Sequence, residues 1–297
     1  ECEGYAPDGT LYGSVSGVLV RDLPPIIKKR YTAPASVMSI EDYAARNYTL
    51  MRLAIQHWDV TLWSTANPST ILELQRAVDE NLELMIEDIE KGTLSDKFAI
   101  DNSIRQELKA YMRPRPKRAK ELRELRDKNG GRILPRDYWK KLQILSTWKC
   151  GNTKVYMDKY LDYFDFEQTC YQELGYIATE CRFGFALDMS NESVLFPHLH
   201  YYEFVPEEDM DKPRKRFLQI DELEQGKRYC TYVTTYSGLF RYNMNDLVEV
   251  GGMYENTPTI HMVGKVNGIV SLTGEKLYEP QFIEAVHQAE EETKIKT

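Results

Sequence analysis

Apolar residues recur at helical spacing from Tyr43 to Gln56, behind the acidic first turn of Ser39-Ile-Glu-Asp. That pattern predicts a helix with Ser39 as its capping residue. In "DVTLWSTANPS" the short apolar run Val60 to Trp63 reads as a strand. The polar turn after it offers Asn67 as an N-cap and Pro68 as the first helical residue. A long helix through "ILELQRAVDENLELMIEDIEKG" follows and stops at Gly92. Strand, polar turn and helix make a βα unit, whose turn faces whatever lies at the strand's carboxyl end. Residues 93–141 are charge-dense and read as peripheral helices broken by "RPRP" and by a "KNGG" turn. "LQILSTWKCGN" reads as a buried strand, "TKVYMDKYLDYF" as a helix and "TCYQELGY" as another strand.

Beyond that point the period changes to alternation. "SVLFPHLHYYEFVPEE", "KRYCTYVTT", "LFRYNMNDLVEVGGMY" and "TIHMVGKV" predict mostly antiparallel strands, and "EPQFIEAVHQAEEETK" a closing amphipathic helix. Residues 1–35 are turn-rich. The expected architecture is α/β in the first part and β-rich in the second, with a terminal βα piece. At 297 residues the chain exceeds the usual single core, so one large domain plus part of another is expected.

The net charge of −8 argues against a nucleic acid or an acidic membrane as partner. The basic stretch Arg113 to Arg126 reads as a solvated helix face, because Glu121 and Glu124 interleave with it. The five cysteines are odd in number and form no C-x-x-C, which predicts free thiols and a reducing, cytoplasmic compartment. No apolar run reaches membrane-spanning length and no signal peptide opens the chain. The opening "ECEGYAPDGTLYG" lacks Met and predicts a fragment.

Three stretches suit a nucleotide. "GYIATE" brings the ring of Tyr176, the hydroxyl of Thr179 and the carboxylate of Glu180 close together. Asp246 is expected at a turn in "LFRYNMNDLVEV", and Lys265 in a turn ahead of Gly274-Glu275-Lys276. An aromatic ring can stack on a purine and a carboxylate can accept from a ribose diol. A hydroxyl and a lysine suit a phosphate, and a carboxylate oxygen suits its Mg²⁺. Taken singly, each residue also fits a core, turn or solvated position. The pair His198-x-His200 would share one face of a strand, but no third ligand at metal spacing accompanies it.

These blocks occur in one order along the chain. Together with "LPPIIKKRY", "STANPSTILEL", "DIEKGTL", "ILSTWKCGN", "HLHYYEFVPEE" and "VGKVNGIVSLTGEKLYEPQ", the chain resembles the acyl-acid amido synthetases. That is the family of the plant auxin- and jasmonate-conjugating enzymes and their bacterial relatives, within the adenylate-forming, luciferase-like superfamily. The resemblance implies a large adenylation domain over 1–264, lacking its phosphate-loop segment. A hinge and the start of a small C-terminal α+β domain are implied over 265–297. The implied reaction is ATP-dependent activation of a carboxylic acid, then amide formation with an amino acid or other amine.

By position, the resemblance makes Tyr176 the adenine-stacking ring and Thr179 the hydroxyl at the α-phosphate. Glu180 becomes the Mg²⁺-associated carboxylate, and Asp246 the group that grips the ribose. Lys265 takes the place of an arginine that reaches the ribose. Gly151 lies in the turn near adenine, and Lys276 joins Thr179 and Glu180 as a catalytic residue. Val266 and Asn267 fall at the hinge. Departures are Asn245 and Asn243, where relatives carry a small and a basic residue, and Lys265 itself, which loses the planar guanidinium fork. Nothing resembles the Ser/Thr/Gly-rich phosphate loop, so that segment is expected outside this sequence or on a separate chain. The "STANPS" turn, with Thr65 and Asn67, is expected to border the acyl pocket or else simply to cap a helix. The rival readings are a ligase that hands its acyl group to a thiol such as coenzyme A, and a non-catalytic nucleotide-binding or interaction module.

Overall fold

The computed structural model describes residues 2–13, 23–150, 156–266, 269–271 and 276–293. These fall into two interleaved units. Unit 1 comprises Glu1–Trp63, Ser69–Gln143 and Tyr163–Thr169, and unit 2 comprises Ser64–Pro68, Ile144–Asp162 and Cys170–Thr297.

Unit 1 opens with the antiparallel hairpin β1 (Cys2–Tyr5) and β2 (Leu11–Gly13). Its longer helices are α1 (Tyr43–Ile55), α2 (Ser69–Lys91), α3 (Asn102–Leu108) and α4 (Pro116–Lys128). The cap of α1 is Asp42, whose side chain accepts from Ala45 N at 2.7 Å. Ser39 instead ends a 3₁₀ turn, Ala35–Ser39. Ile71, Leu74, Val78, Leu82, Met85 and Ile89 are buried along one face of α2, as their spacing predicts. Asn81 departs from helical geometry and kinks α2 there.

Between α1 and α2 lies a polar network rather than a purely apolar seam. The buried Asp88 carboxylate accepts from Tyr48 Oη at 2.6 Å, Thr93 Oγ1 at 2.7 Å and Ser95 N at 2.7 Å. Beside it, Arg52 donates to Asp88 O, Thr93 O and Gln56 Oε1. Charged groups so buried persist because each has partners. The basic stretch Arg113 to Arg126 is likewise not wholly solvated. Arg118 of α4 is buried and donates to Ile55 O at 3.0 Å and Tyr138 O at 2.7 Å, so it is a structural clamp inside an otherwise solvated face.

Strand β3 (Leu62–Ser64) joins β4 (Ile144–Thr147) and β5 (Cys170–Glu173) in a three-stranded sheet. β4 and β5 are parallel, with Thr147 opposite Glu173. The helix predicted over "TKVYMDKYLDYF" reduces, in its described part, to the single turn Met157–Tyr160 followed by turns.

The rest of unit 2 is antiparallel, as the alternation predicts. It contains β6 (Gly184–Phe185), β7 (Ser193–Leu195), β8 (Tyr201–Pro206), β9 (Arg228–Thr234), β10 (Tyr242–Tyr254) and β11 (Thr257–Lys265). Their order in the sheet is β6-β7-β11-β10-β9-β8. One face carries Phe183, Phe204, Tyr229, Val233, Val248, Val250 and Ile260 as a core. The hairpin of β12 (Ile269–Ser271) and β13 (Lys276–Tyr278) and the helix α5 (Glu279–Thr293) close the chain. Cys150, Cys170, Cys181 and Cys230 form no disulfide. Among the described residues no helix is long and apolar enough to cross a membrane.

Gly92 ends α2 at φ +70°, and a Cβ there would fall 2.5 Å from Pro114 N. Backbone conformation and crowding both oppose a side chain. Gly92→Ala is expected to cost about 2–4 kcal/mol in urea unfolding. An unchanged urea midpoint would show that this turn admits a side chain.

Candidate functional site

β5 ends at Glu173, and Gly175 turns the chain at φ +102°. A Cβ at Gly175 would lie 2.5 Å from Phe185 Cα and 2.7 Å from Gly184 O, so only glycine meets both the conformation and the close approach. The turn sends Tyr176 inward. Immediately after it, Ile177 bridges Arg182, and Ala178 N donates to Cys181 O at 3.0 Å. Thr179 and Glu180 are left at the tip of this small hairpin, Thr179 exposed and Glu180 half-buried. Thus a buried ring and two solvent-facing polar groups arise within five residues. No helix begins at Glu180.

Tyr176 is 8% exposed, and its ring stacks on Phe183 with centroids 4.1 Å apart and planes 12° from parallel. Its phenol donates to Asp246 Oδ2 at 2.5 Å and meets Thr231 Oγ1 at 3.1 Å. The other Asp246 oxygen is ion-paired with Lys265 Nζ. Asp246 is 2% exposed, whereas the Lys265 side chain is half-exposed. Burial and the neighbouring Asp246 carboxylate hold the Tyr176 phenol well above the usual tyrosine range.

Asp246 does not sit in a turn between strands, as expected, but on a bulge within β10. Asn243 faces Tyr232 of β9 and Leu247 faces Cys230, so four steps along β10 match two along β9. Asn245 takes up the slack at φ +57°, a left-handed conformation that asparagine tolerates better than most residues. Its amide donates to Asn243 Oδ1 at 2.9 Å. Lys265 likewise is no turn residue. It is the last residue of β11, directly opposite Asp246 in the ladder. "YNMND" reads as a turn because its composition is that of one; the extra residues are absorbed by the bulge instead.

The Ser64–Pro68 turn belongs to the same unit and is fastened to the end of β4. Thr65 N donates to Ser146 O at 3.0 Å, and Ala66 O accepts from Trp148 N at 3.2 Å and Thr147 Oγ1 at 3.0 Å. Thr65 is half-buried and Asn67 exposed, and α2 begins at Ser69, just after Pro68. Trp148 Nε1 then donates to Gly175 O at 3.1 Å, which links this turn to the one bearing Tyr176. Gly151 and Asn267 lie outside the described residues, and Lys276 opens β13 with its side chain outside them. His198 and His200 lie in a turn, not on a strand, and among the described residues no cluster of three metal-ligating side chains occurs.

Three contributors escaped the reading of the sequence. Phe183, beneath Tyr176, follows the tip by three residues, and a ring at that spacing was the available signal. Thr231 is a lone polar residue on the apolar face of β9, visible only once the register is known. Glu173 looks like an ordinary strand-end acid. A cavity of about 470 Å³ is lined by Cys230, Tyr232, Asn243, Asn245, Lys215 and Val266. Alternation along β9 places Cys230 and Tyr232 on the sheet face opposite Thr231, so this cavity lies behind the Tyr176–Asp246 pair.

The model of the GH3 family N-terminal domain matches residues 1–169, and that of the GH3 family central domain matches residues 193–265; the chain belongs to the GH3 family. It is 28% identical over 268 residues to the probable indole-3-acetic acid-amido synthetase GH3.1 of Arabidopsis thaliana, covering 87% of this chain and 44% of that protein. With the 4-substituted benzoates-glutamate ligase GH3.12 of Arabidopsis thaliana the identity is 26% over 271 residues, covering 87% and 45%. The solved structure of the GH3.15 acyl acid amido synthetase matches with a TM-score of 0.79 at 18% identity, over 98% of this chain and 51% of that one. The expected family and fold are thereby borne out. The chain spans about half the length of the relatives it matches.

The raised phenol gives a pH test. Above about pH 10 an unfolded tyrosine loses its proton while Tyr176 keeps it, so the folded state binds more protons and stability falls as pH rises. Tyr138, also raised by burial, contributes in the same direction. Tyr176→Phe is expected to cost about 2 kcal/mol at neutral pH. It should also make the alkaline decline shallower by up to about 1.4 kcal/mol per pH unit. Urea titrations from pH 8 to 11 check both, and an identical slope in the variant would contradict the assignment.

Proposed function

We propose that the chain forms the nucleotide-binding part of an ATP-dependent acyl-acid amido synthetase. In the first step a carboxylate oxygen attacks the α-phosphorus of ATP and pyrophosphate leaves, giving an acyl-adenylate. In the second, an amino acid's amine attacks the acyl carbon, AMP leaves, and the amine's proton is released as the amide forms. The family assignment and the relatives' printed activities support this reading. The observation that carries it is the buried carboxylate of Asp246, shared between the Tyr176 phenol and the Lys265 ammonium.

Asp246 is the ribose ligand in this proposal. Lys265, on a flexible and half-exposed stem, gives up or shares its carboxylate oxygen when the sugar hydroxyls arrive. Tyr176, braced by Phe183, is the ring assigned to adenine, and Gly151 is assigned to the border of the base. Thr179 bonds the α-phosphate and Lys276 offsets its charge. Thr65 and Asn67 border the acyl site, since their turn is bonded to the end of β4. The segment after Lys265 is the hinge to a small C-terminal domain.

Glu180 is the candidate Mg²⁺ ligand. A lone, half-buried carboxylate fits that ion, which is commonly held by one or two carboxylates together with substrate phosphates and water. When bound, Mg²⁺ would neutralise charge on the phosphates. The chain's own contribution is positioning: the turn fixes Glu180 beside Thr179, and the bulge fixes Asp246 beneath the sugar.

Pyrophosphate exchange by the full-length protein across a panel of carboxylic acids tests the reading. Acid-dependent exchange is expected, and Glu180→Ala is expected to lower it by about 100-fold or more. Exchange indifferent to that change would remove Glu180 from its role. Release of AMP that depends on a thiol rather than an amine would favour transfer to a thiol such as coenzyme A. Replacing Thr65 with a bulkier residue should shift acid preference, and an unshifted profile would take the Ser64–Pro68 turn out of the acyl site.

A further inference from the structure

The ends of the parallel strands β4 and β5 are held by a group to which the reading above gives no part. Glu173, the last residue of β5, is 4% exposed. Its two carboxylate oxygens accept from two different turns: Oε2 from Lys149 N at 2.6 Å, and Oε1 from Gly175 N at 2.9 Å. The Cys150 thiol faces the same carboxylate. Lys149, also buried, sends its ammonium back to Tyr171 O at 3.0 Å and Met189 O at 3.2 Å. The result is a carboxylate-centred bridge between the turn that follows β4 and the turn that follows β5. The first leads directly into Gly151. The second delivers Tyr176, with Thr179 and Glu180 just beyond.

We propose that Glu173 is a positioning residue for the nucleotide site, a carboxylate clamp that ties the end of β4 to the turn that delivers Tyr176. The proposal rests on the nucleotide reading and deepens it. Structural satisfaction alone would not require both oxygens to reach backbone amides of separate turns, one of them immediately before the ring assigned to adenine. Gly175 is gripped on its other side as well, because its carbonyl accepts from Trp148 Nε1 at 3.1 Å. Its lack of a Cβ lets the turn press against Phe185. The Tyr176 amide is tied in turn to Ser193 Oγ at 3.1 Å. With the amide and carbonyl of Gly175 and the amide of Tyr176 all engaged, a change in the carboxylate is passed to the ring rather than absorbed by slack.

Glu173→Gln tests this. An amide offers one acceptor oxygen where the carboxylate offers two, so one turn is released while size and shape are kept. Glu203→Gln is the control. Glu203 is another buried carboxylate of the same unit, held by Arg241 at 2.7 and 2.8 Å. It faces Tyr232 in the ladder, on the sheet face away from Thr231. Calorimetric titration with AMP and with ATP, together with thermal unfolding, is measured for the full-length protein and both variants. Glu173→Gln is expected to weaken nucleotide binding by about tenfold or more, and Glu203→Gln by less than about twofold, even where it lowers the unfolding temperature as much. Nucleotide binding unaltered by Glu173→Gln, or affinity losses that merely track unfolding temperature in both variants, would overturn the clamp. A wild-type protein that binds neither nucleotide would overturn the nucleotide reading, and the clamp with it.

Discussion

A carboxylate that folding removes from water must find donors, and Asp246 finds them on two separate parts of the chain. The Tyr176 phenol takes one oxygen and the Lys265 ammonium the other. Without them the buried charge would cost several kcal/mol, enough to unsettle a domain of ordinary stability. Its placement therefore fixes three things together: the bulge of β10, the register of β11 at its last residue, and the inward course of the chain after Gly175. The site is not a set of residues added to a finished fold. Its central charge is one reason the strands meet where they do.

The surrounding turns are held mainly by backbone bonds. The Ser64–Pro68 turn is bonded to β4, the indole of Trp148 reaches the carbonyl of Gly175, and Glu173 spans the two strand-following turns. Such contacts place few demands on loop composition beyond the glycine itself and the side chains that bond to the backbone. They leave the tip residues Thr179 and Glu180 facing outward from a rigid base. A rigid base with polar groups at its rim suits chemistry whose main requirement is correct placement of charged oxygens.

Much of this was legible in the sequence where one signal dominated. The apolar spacing of α2, the stop at Gly92 and the alternation of the second half all translated directly into structure. Reading failed where two signals compete. Asp42 rather than Ser39 caps α1, because either residue satisfies a capping pattern and only the geometry chooses. "YNMND" has the composition of a turn, yet cross-strand pairing on both sides keeps it in β10 and the strain is lodged at Asn245. Arg118 looked solvated because its neighbours are; its burial depends on the carbonyls of Ile55 and Tyr138, distant in sequence. Tyr176, Asp246 and Lys265 could be chosen by type and order, but not their mutual contact, which rests on a two-residue slip between strands.

The two units also share the chain in alternating pieces. Unit 1 is not complete until Tyr163–Thr169 has been made, by which point Ser64–Pro68 and Ile144–Asp162 of unit 2 already exist. A nascent chain leaving the ribosome would hold the Ser64–Pro68 turn for roughly a hundred residues of synthesis before β5 can join β4. Domains that occupy continuous stretches can fold one after another as they emerge. Here translation order and assembly order cannot coincide, and in the interval between them the edge of β4 waits for a partner strand that has not yet been made.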